Sequence, residues 1–467
     1  MDILSACLCL GSPALAAYSL ALTAFNRGYI SHNFRLLEHV AEKDTRQEYR
    51  YMVDRVEAAA FILKEVQQCP IRANQRTGEF ANLIVLNDQD RQNFWKVAAK
   101  DLKNTRRDFT YSFGAQVFLA FITYLISFIA AVHDSLGSPD VGLQFASSTV
   151  WSWMFPVVFG YIRVGSQYKA GSIQEALVNN ASYPERDRDD SGDTPFAYQK
   201  GLQAQLDRAL PPTTWWGFDV RGDERREGPI FNYARVLTWF AFSEHVEGAF
   251  RTALERFQTH AAIPLTMEEA AEHCGFQPRQ DLIAFTAWSE IPQFAIKRMV
   301  MAGLVALALQ WGTTGAAIFV AYNTPAVGIG CRSGSYLIYG IAATASWLML
   351  VFSSFVSHAL MQRLERNPSR RVGILGGLAV ITRLLGKTIA VSNAAWLIAS
   401  SVLEDIGFFQ TCWCQTDAFQ YHENGWTPVF KGSSDLRDVA SGIWIGGFIW
   451  STVVCIIIAG IFAYGPH

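Results

Sequence analysis

The sequence predicts an all-α, polytopic membrane protein with about seven transmembrane helices and a helical cytosolic domain. Half of the 467 residues are hydrophobic and only 17% are charged, whereas soluble globular proteins carry about 25% charged residues. Seven apolar runs are long enough to cross a hydrocarbon core of about 30 Å, which takes roughly 20 helical residues. Alternation of polar and apolar residues, which would indicate strands, never extends beyond a few positions.

The predicted spans are bounded by charged residues and contain few charges themselves. They cover residues 3–25, 113–132, 141–162, 299–322, 336–361, 389–409 and 440–464. We interpret the first run as a retained helix rather than a cleaved signal peptide, because its first basic residue, Arg27, follows it. Residues 372–388 are apolar apart from Arg383 and Lys387, and are predicted either as an interfacial helix or as the lower part of the sixth span.

Basic residues indicate the orientation of these spans. Of the 39 Lys and Arg, all but Arg332, Lys431 and Arg437 lie in three segments on one side of the predicted membrane. These segments are residues 26–112, 163–298 and 362–388. Because Lys and Arg are enriched in cytosolic loops, the N-terminus is predicted outside and the C-terminus in the cytosol. The expected location is the plasma membrane or the secretory pathway.

The two long polar segments, 26–112 and 163–298, are expected to build the cytosolic domain together. In the first, an apolar stripe repeats at three- and four-residue spacing, which predicts either a core face or a partner-binding coiled coil. The stripe comprises Tyr49, Met52, Val56, Ala59, Leu63 and Val66. In the second, the polar residues 183–194 predict a mobile loop, and Thr266 with Glu269 predicts a helix N-cap. The adjacent Trp215 and Trp216 suit either a headgroup-level anchor or packing within the domain.

Three cysteines lie in the predicted outer loops, where disulfides persist. We predict that Cys331 bonds to Cys412 or Cys414, which tethers the loop before the fifth span to the loop at 410–439. A metal site at Cys412 and Cys414 and unpaired thiols are the alternatives. No framework of paired cysteines predicts a metal centre elsewhere.

Polar residues within the spans are candidates for a transport path, because burying them in lipid is costly. The candidates are Glu404, Asp405, Gln310, Ser392 and Asn393. Their alternative role is to cap helices or to hydrogen-bond between them. Gly442 and Gly446 form a GxxxG motif, which predicts close helix packing within the chain or in a dimer.

The outer-loop motifs Cys412-Trp-Cys414 and Asn424-Gly-Trp426, together with Cys331-Arg-Ser-Gly-Ser-Tyr336, resemble uncharacterised multi-pass membrane proteins of filamentous fungi. The resemblance covers the last third of the chain, from Gln310 onward. It implies a membrane-embedded fold and carries no activity or site.

Composition and motifs disfavour two function classes, nucleic-acid-binding proteins and enzymes. With a formal charge of −2 and no basic run with interleaved aromatics, the sequence does not predict nucleic-acid binding. No catalytic constellation and no cofactor motif is present. The leading expectation is a non-enzymatic assembly or scaffold protein that contacts the bilayer and forms homo-oligomers, or binds a protein partner, through its cytosolic helices. The alternatives are a channel or transporter, and a lipid-acting membrane enzyme using His245 and Glu244 or His358.

Overall fold

The computed structural model of the chain is nearly all helical, which confirms the predicted all-α class. It describes residues 3–43, 50–68, 71–73, 79–85, 89–104, 111–133, 139–164, 173, 176–177, 202–204, 214–226, 228–259, 264, 266–276, 285–324, 328–367, 371–410, 414 and 433–464. The predicted mobile loop at 183–194 lies outside these residues.

The α-helices among the described residues are numbered here in chain order. They are α1 (Ile3–Gly11), α2 (Pro13–Lys43), α3 (Arg50–Glu65), α4 (Glu79–Val85), α5 (Gln89–Asn104), α6 (Tyr111–His133), α7 (Pro139–Val150), α8 (Met154–Val164), α9 (Val236–Gln258), α10 (Met267–His273), α11 (Gln293–Asn323), α12 (Cys331–Arg366), α13 (Ile374–Asp405) and α14 (Ser433–Tyr464).

Short 3₁₀ turns and four short strands complete the described elements. The 3₁₀ turns are Val66–Gln68, Trp151–Trp153, Pro229–Ala234 and Phe408–Gln410. Strand β1 (Ile71–Ala73) pairs antiparallel with β2 (Leu202–Ala204), and β3 (Thr214–Trp215) with β4 (Phe218–Asp219). The first pairing joins the two long polar segments of the sequence.

Five helices in the described part of the chain are long and apolar enough to cross a membrane, namely α6, α11, α12, α13 and α14. A sixth candidate arises only if α1 and α2, which meet at 101°, form one broken span. The run at 141–162 is divided by the Trp151–Trp153 turn into α7 and α8, of 12 and 11 residues. The count of seven spans is therefore not confirmed, although several long apolar helices are present.

The first predicted span is not one continuous helix, because the chain turns at Ser12. Pro13 opens α2, where its missing amide hydrogen is of no consequence in the first helical turn. Polar groups from α12 and α13 hold the bend. Asn393 donates from Nδ2 to the carbonyl oxygens of Gly11 (2.7 Å) and Tyr339 (3.0 Å). The Tyr339 hydroxyl donates to the Leu10 carbonyl (2.8 Å), and the Ser12 hydroxyl to the Ala343 carbonyl (2.8 Å).

Helix α2 lies at the centre of the fold and packs against α11, α3, α9 and the Pro229–Ala234 turn. Its first turns are fully buried, from Ala14 to Asn26. Polar contacts set its register. Ser19 donates to the Ile230 carbonyl (2.9 Å), and Asn232 donates from Nδ2 to the Thr23 hydroxyl (2.7 Å). A helix predicted to face lipid thus forms part of the protein core.

Helices from the two long polar segments share one hydrophobic core with α2. The stripe residues Met52, Val56, Ala59 and Leu63 of α3 are buried, as is Val66 in the following 3₁₀ turn, as expected for a core face. Tyr49 lies outside the described residues. Their neighbours in the core come from α4, α5, α9 and α10. The predicted N-cap at Thr266 is confirmed, since Thr266 and Glu269 form a capping box.

Residues 374–388 belong to the same helix as residues 389–405, so the apolar segment before the sixth predicted span is the first half of α13. Helices α11, α12 and α13 contain 31, 36 and 32 residues. At 1.5 Å per residue each exceeds a hydrocarbon core of about 30 Å. Each therefore extends well beyond what a perpendicular crossing requires.

Candidate functional site

An open groove lies between α3 and α5 on the surface of the helical region. Both helices turn their apolar stripes inward, and Trp95 and Arg55 fix them to the end of α4. Trp95 donates from Nε1 to the Leu83 carbonyl (2.6 Å) and Arg55 from Nη1 to the Ile84 carbonyl (2.6 Å). These bonds satisfy carbonyls that a helix end leaves without intrahelical partners. The outward faces of α3 and α5 are thereby held side by side.

The groove encloses about 410 Å³ and has walls of opposite charge. Its floor is formed by Ala58, Phe61 and Ala99. Asp54 and Glu57 line the α3 wall. The α5 wall carries three lysines, namely Lys96, Lys100 and Lys103. Spacings of three and four residues place each set on one helix face. Within the described chain these five charges form no ion pair or hydrogen bond.

A second polar site is a buried charge cluster between α12, α13 and residues 219–235. Arg383 donates to the carbonyls of Asp219 and Val220, the latter at 2.7 Å, and Ser357 donates to the Val220 carbonyl (2.9 Å). Lys387 forms an ion pair with Asp223, which also accepts a hydrogen bond from Tyr233. The cluster therefore fastens the 219–235 segment to two long helices.

Burial dominates the electrostatics of this cluster. It raises the pKa of Glu224, although the neighbouring Arg221 opposes the shift. The pKa of Tyr233 also rises well above its usual value because of burial and the charge of Asp223. A cavity of about 10 Å³ adjoins these groups, which is room for a single water molecule. The cluster is tightly packed and has no space for a substrate.

Our sequence reasoning missed this cluster, although two signals were present. Six of the nine residues from 218 to 226 are charged. Arg383 and Lys387 stand four residues apart on an otherwise apolar helix, which puts both on one face. Cations on such a face require buried partners, and the 219–224 segment supplies them.

The predicted disulfide candidates come together at the other end of α12. Cys331 and Cys414 lie at disulfide distance, with their Cα atoms 4.9 Å apart. Cys412, the alternative partner, lies outside the described residues. The pair joins the start of α12 to the chain that follows α13.

Two of the transport-path candidates lie close to this disulfide. Glu404, near the end of α13, is buried and forms an ion pair with Arg332, whose Nε lies 3.5 Å from Glu404 Oε1. Asp405 is exposed on the same helix turn. The Arg332–Glu404 pair and the disulfide connect the same two helix ends.

The other three transport-path candidates do not share a surface. Asn393 is buried and holds the bend at Ser12. Gln310 is buried in α11 and donates to Thr314 of the same helix (3.0 Å). Ser392 faces outward on α13. The structure therefore brings none of these three side chains into contact with Glu404, and whether the protein transports a solute stays a prediction.

The GxxxG motif faces away from the other described residues. At Gly442 and Gly446 an added Cβ would meet no atom within 4 Å. The glycine of α14 that permits close packing is Gly447, whose added Cβ would collide with Val320 of α11. Among the described residues nothing packs against Gly442 or Gly446, and their role in helix packing stays a prediction.

The histidines proposed for a lipid-acting enzyme are held by neighbouring groups. His245 stacks against Phe276 with ring centroids 5.0 Å apart, and Glu244 accepts a hydrogen bond from Tyr29. His358 lies 3.0 Å from the Thr286 carbonyl through Nε2. His245 and His358 lie on different helices and face different partners. No group of three potential metal ligands occurs among the residues described.

The burial of His245 should make the folded state less stable at acidic pH. Burial lowers its pKa from 6.5 to about 4, so the folded state takes up this proton later than the unfolded chain as the pH falls. The neutral imidazole makes its full contribution to the free energy of unfolding above pH 6.5. Between pH 6.5 and pH 4 this contribution, about 3 kcal/mol, is lost progressively. We expect His245→Gln to show a smaller fall in melting temperature between pH 7.5 and pH 4.5 than the wild type. Substituting the exposed His32 with Gln should leave the wild-type fall unchanged. An equal fall in all three proteins would contradict the prediction.

No known protein family matches this chain, and neither a curated protein nor a solved structure does.

Proposed function

We propose that this protein is a non-enzymatic, membrane-spanning assembly protein that pairs with a second copy of itself through the α3–α5 groove. The observation that carries the proposal is the groove's arrangement of charge. An acidic wall and a basic wall of unpaired side chains flank an apolar floor, on a surface exposed to solvent.

A second copy is the partner that these walls fit best. A two-fold axis along the groove would place Asp54 and Glu57 of one copy opposite the lysines of α5 in the other, and the reverse. Such isologous contacts form when one surface is complementary to itself. Ala58, Phe61 and Ala99 at the floor would form the apolar centre of this interface, and the charged side chains would lie at its rim.

Three of the transport-path candidates are occupied by contacts within the chain, which also favours assembly over transport. Asn393 and Gln310 hydrogen-bond within or between helices, and Glu404 is paired with Arg332. The groove charges, in contrast, have no partner among the described residues and are free to meet another molecule. Transport and lipid chemistry remain alternatives without a specific observation in their favour.

Charge reversal tests the pairing. One variant carries Lys96→Glu, Lys100→Glu and Lys103→Glu, and the other Asp54→Lys and Glu57→Lys. Each is expected to dissociate, because like charges would then face each other across the axis. Exposed ion pairs contribute about 0.2–1 kcal/mol each, so removing several and adding repulsion should weaken the dimer at least about tenfold. Native mass measurement of the full chain in detergent and in nanodiscs reports the change.

Mixing the two variants gives the decisive result. Each acidic surface then meets a basic one, so a heterodimer should form where neither variant forms a homodimer. A matched control reverses Glu255 and Glu272 to Lys, since both are exposed on α9 and α10, and it should dimerise like the wild type. A wild-type protein that is monomeric at all concentrations, or a mixture that fails to pair, would exclude this interface.

A further inference from the structure

The hairpin of β3 and β4 has an unusual residue at its turn. Trp215 pairs with Phe218, so Trp216 and Gly217 alone form the loop. Their φ angles are both positive, at 48° and 78°. Two-residue turns of this kind strongly prefer Asn-Gly, because larger side chains are disfavoured in the left-handed region. Trp216 is the only non-glycine residue with positive φ among the described residues.

Neither the turn nor the protein core accounts for tryptophan at this position. The side chain of Trp216 is 85% exposed, so it gains little burial within the chain. Strained backbone persists where surrounding structure enforces it, and it is often found at functional positions. A large aromatic ring that is both strained and exposed points to a contact outside the chain.

The base of the hairpin is rigidly attached to the long helices. The ring of Trp215 packs against α13, where a Cβ added to Gly377 would lie 3.0 Å from two of its atoms. Arg383 donates to the carbonyls of Asp219 and Val220, directly after β4. The hairpin is thus held in place at its base, while its tip projects outward.

Apolar side chains surround the tip. Phe218 is 49% exposed on β4. On α13, within one turn of Gly377, Ile374 is 91% exposed and Leu378 is 40% exposed. The outward face of α13 continues with exposed Ile381, Leu384 and Leu385. The tip therefore lies next to the end of an apolar surface that belongs to a candidate membrane span.

We propose that the β3–β4 hairpin is a membrane-interface anchor, with Trp216 inserted in the lipid headgroup layer beside the first turn of α13. Tryptophan is enriched at this level because its ring is apolar while its N–H remains close to water. The occupant of this surface is the lipid bilayer that α13 crosses. The anchor rests on the membrane-spanning part of the proposed function and not on self-assembly.

Anchoring by an uncharged ring has a specific signature. Insertion should occur in neutral phosphatidylcholine bilayers and should not depend on salt, since screening affects charges only. It should also fix the position of α13 relative to the membrane surface, because Trp215 and Arg383 connect the hairpin to that helix.

Depth-dependent quenching in nanodiscs tests the anchor with the full chain. The protein has 14 Trp, so the emission of Trp216 is taken as the difference between the wild type and Trp216→Asn. Asn is the preferred residue at this turn position, so the variant should melt no lower than the wild type in detergent. We expect the difference emission to be quenched by lipids brominated near the carbonyl end of the acyl chain, and less by lipids brominated near the terminal methyl group.

A second tryptophan calibrates the depth. Trp450 is 61% exposed within the α14 span, so the difference emission of Trp450→Phe should be quenched more strongly by the deep bromines than that of Trp216. Emission from Trp216 that is quenched by aqueous iodide and by neither lipid would place the tip in water and overturn the proposal. Emission shielded from both iodide and lipid would indicate a protein contact instead. A marked loss of thermal stability in Trp216→Asn would assign the ring a structural role, and would likewise overturn it.

Discussion

Replacing Gly11 with Ala is expected to destabilise the protein by about 3 kcal/mol or more, since overpacking a tight contact typically costs 1–3 kcal/mol and sometimes more. An added Cβ at this position would lie 2.6 Å from the carbonyl carbon of Ala390 and still closer to its oxygen. The obstructing atoms are backbone, so no rotamer change can relieve the clash. Either α1 or α13 would have to move, and the hydrogen bonds from Asn393 and Tyr339 would lengthen or break.

Thermal unfolding of detergent-purified protein measures this effect, with Gly248→Ala as the matched control. Gly248 is also helical and meets no atom within 4 Å, so alanine there should be neutral or stabilise the helix by roughly 0.5–1 kcal/mol. If Gly11→Ala and Gly248→Ala melted at the same temperature, α1 would not pack against α13 as described.

The bend at Ser12 illustrates what the sequence predicts and what it does not. The apolar run at 3–25 correctly predicts helix, and Pro13 was an available sign of a new helix start. The angle between α1 and α2 depends instead on Asn393, Tyr339 and Ala343, which lie more than 300 residues away. Hydropathy measures how apolar a segment is, but not whether lipid or protein surrounds it. For this reason the run at 3–25 was predicted as a span, although its second part, the start of α2, is buried in the protein core.

The candidate sites show the same contrast. Features that depend on neighbouring residues could be predicted from the sequence, whereas those formed by distant segments could not. Local periodicity was sufficient for the core stripe of α3 and for the Thr266 capping box, because both depend on residues within a few positions of each other. The cysteine positions narrowed the partner of Cys331 to two residues, one of which lies at disulfide distance. The opposite walls of the groove could not be predicted, because they arise only when α3 and α5 pack side by side. Likewise, the pairing of Lys387 with Asp223 requires contact between residues 164 positions apart.

Removing the carboxylate of Asp223 is the second change for which we expect a large effect. Its side chain is 5% exposed and that of Lys387 is 14% exposed. Asp223→Ala would leave Lys387 as a buried cation without its counter-charge, which typically costs 3–5 kcal/mol. The Tyr233 hydroxyl would also lose its acceptor. Thermal unfolding should show a large decrease, whereas Asp405→Asn, at an exposed acid on α13, should change stability by less than about 0.5 kcal/mol.

A double-mutant cycle with Lys387→Met separates the pair from its surroundings. Lys387→Met should cost less than Asp223→Ala, because Asp223 keeps the Tyr233 hydroxyl and has Arg226 at 3.8 Å. In the double variant neither charge is left alone, so its destabilisation should be smaller than the sum of the two single effects. Strict additivity would mean that the two side chains do not interact. The cycle thus measures directly how far one ion pair holds the 219–235 segment, and with it the β3–β4 hairpin, against α13.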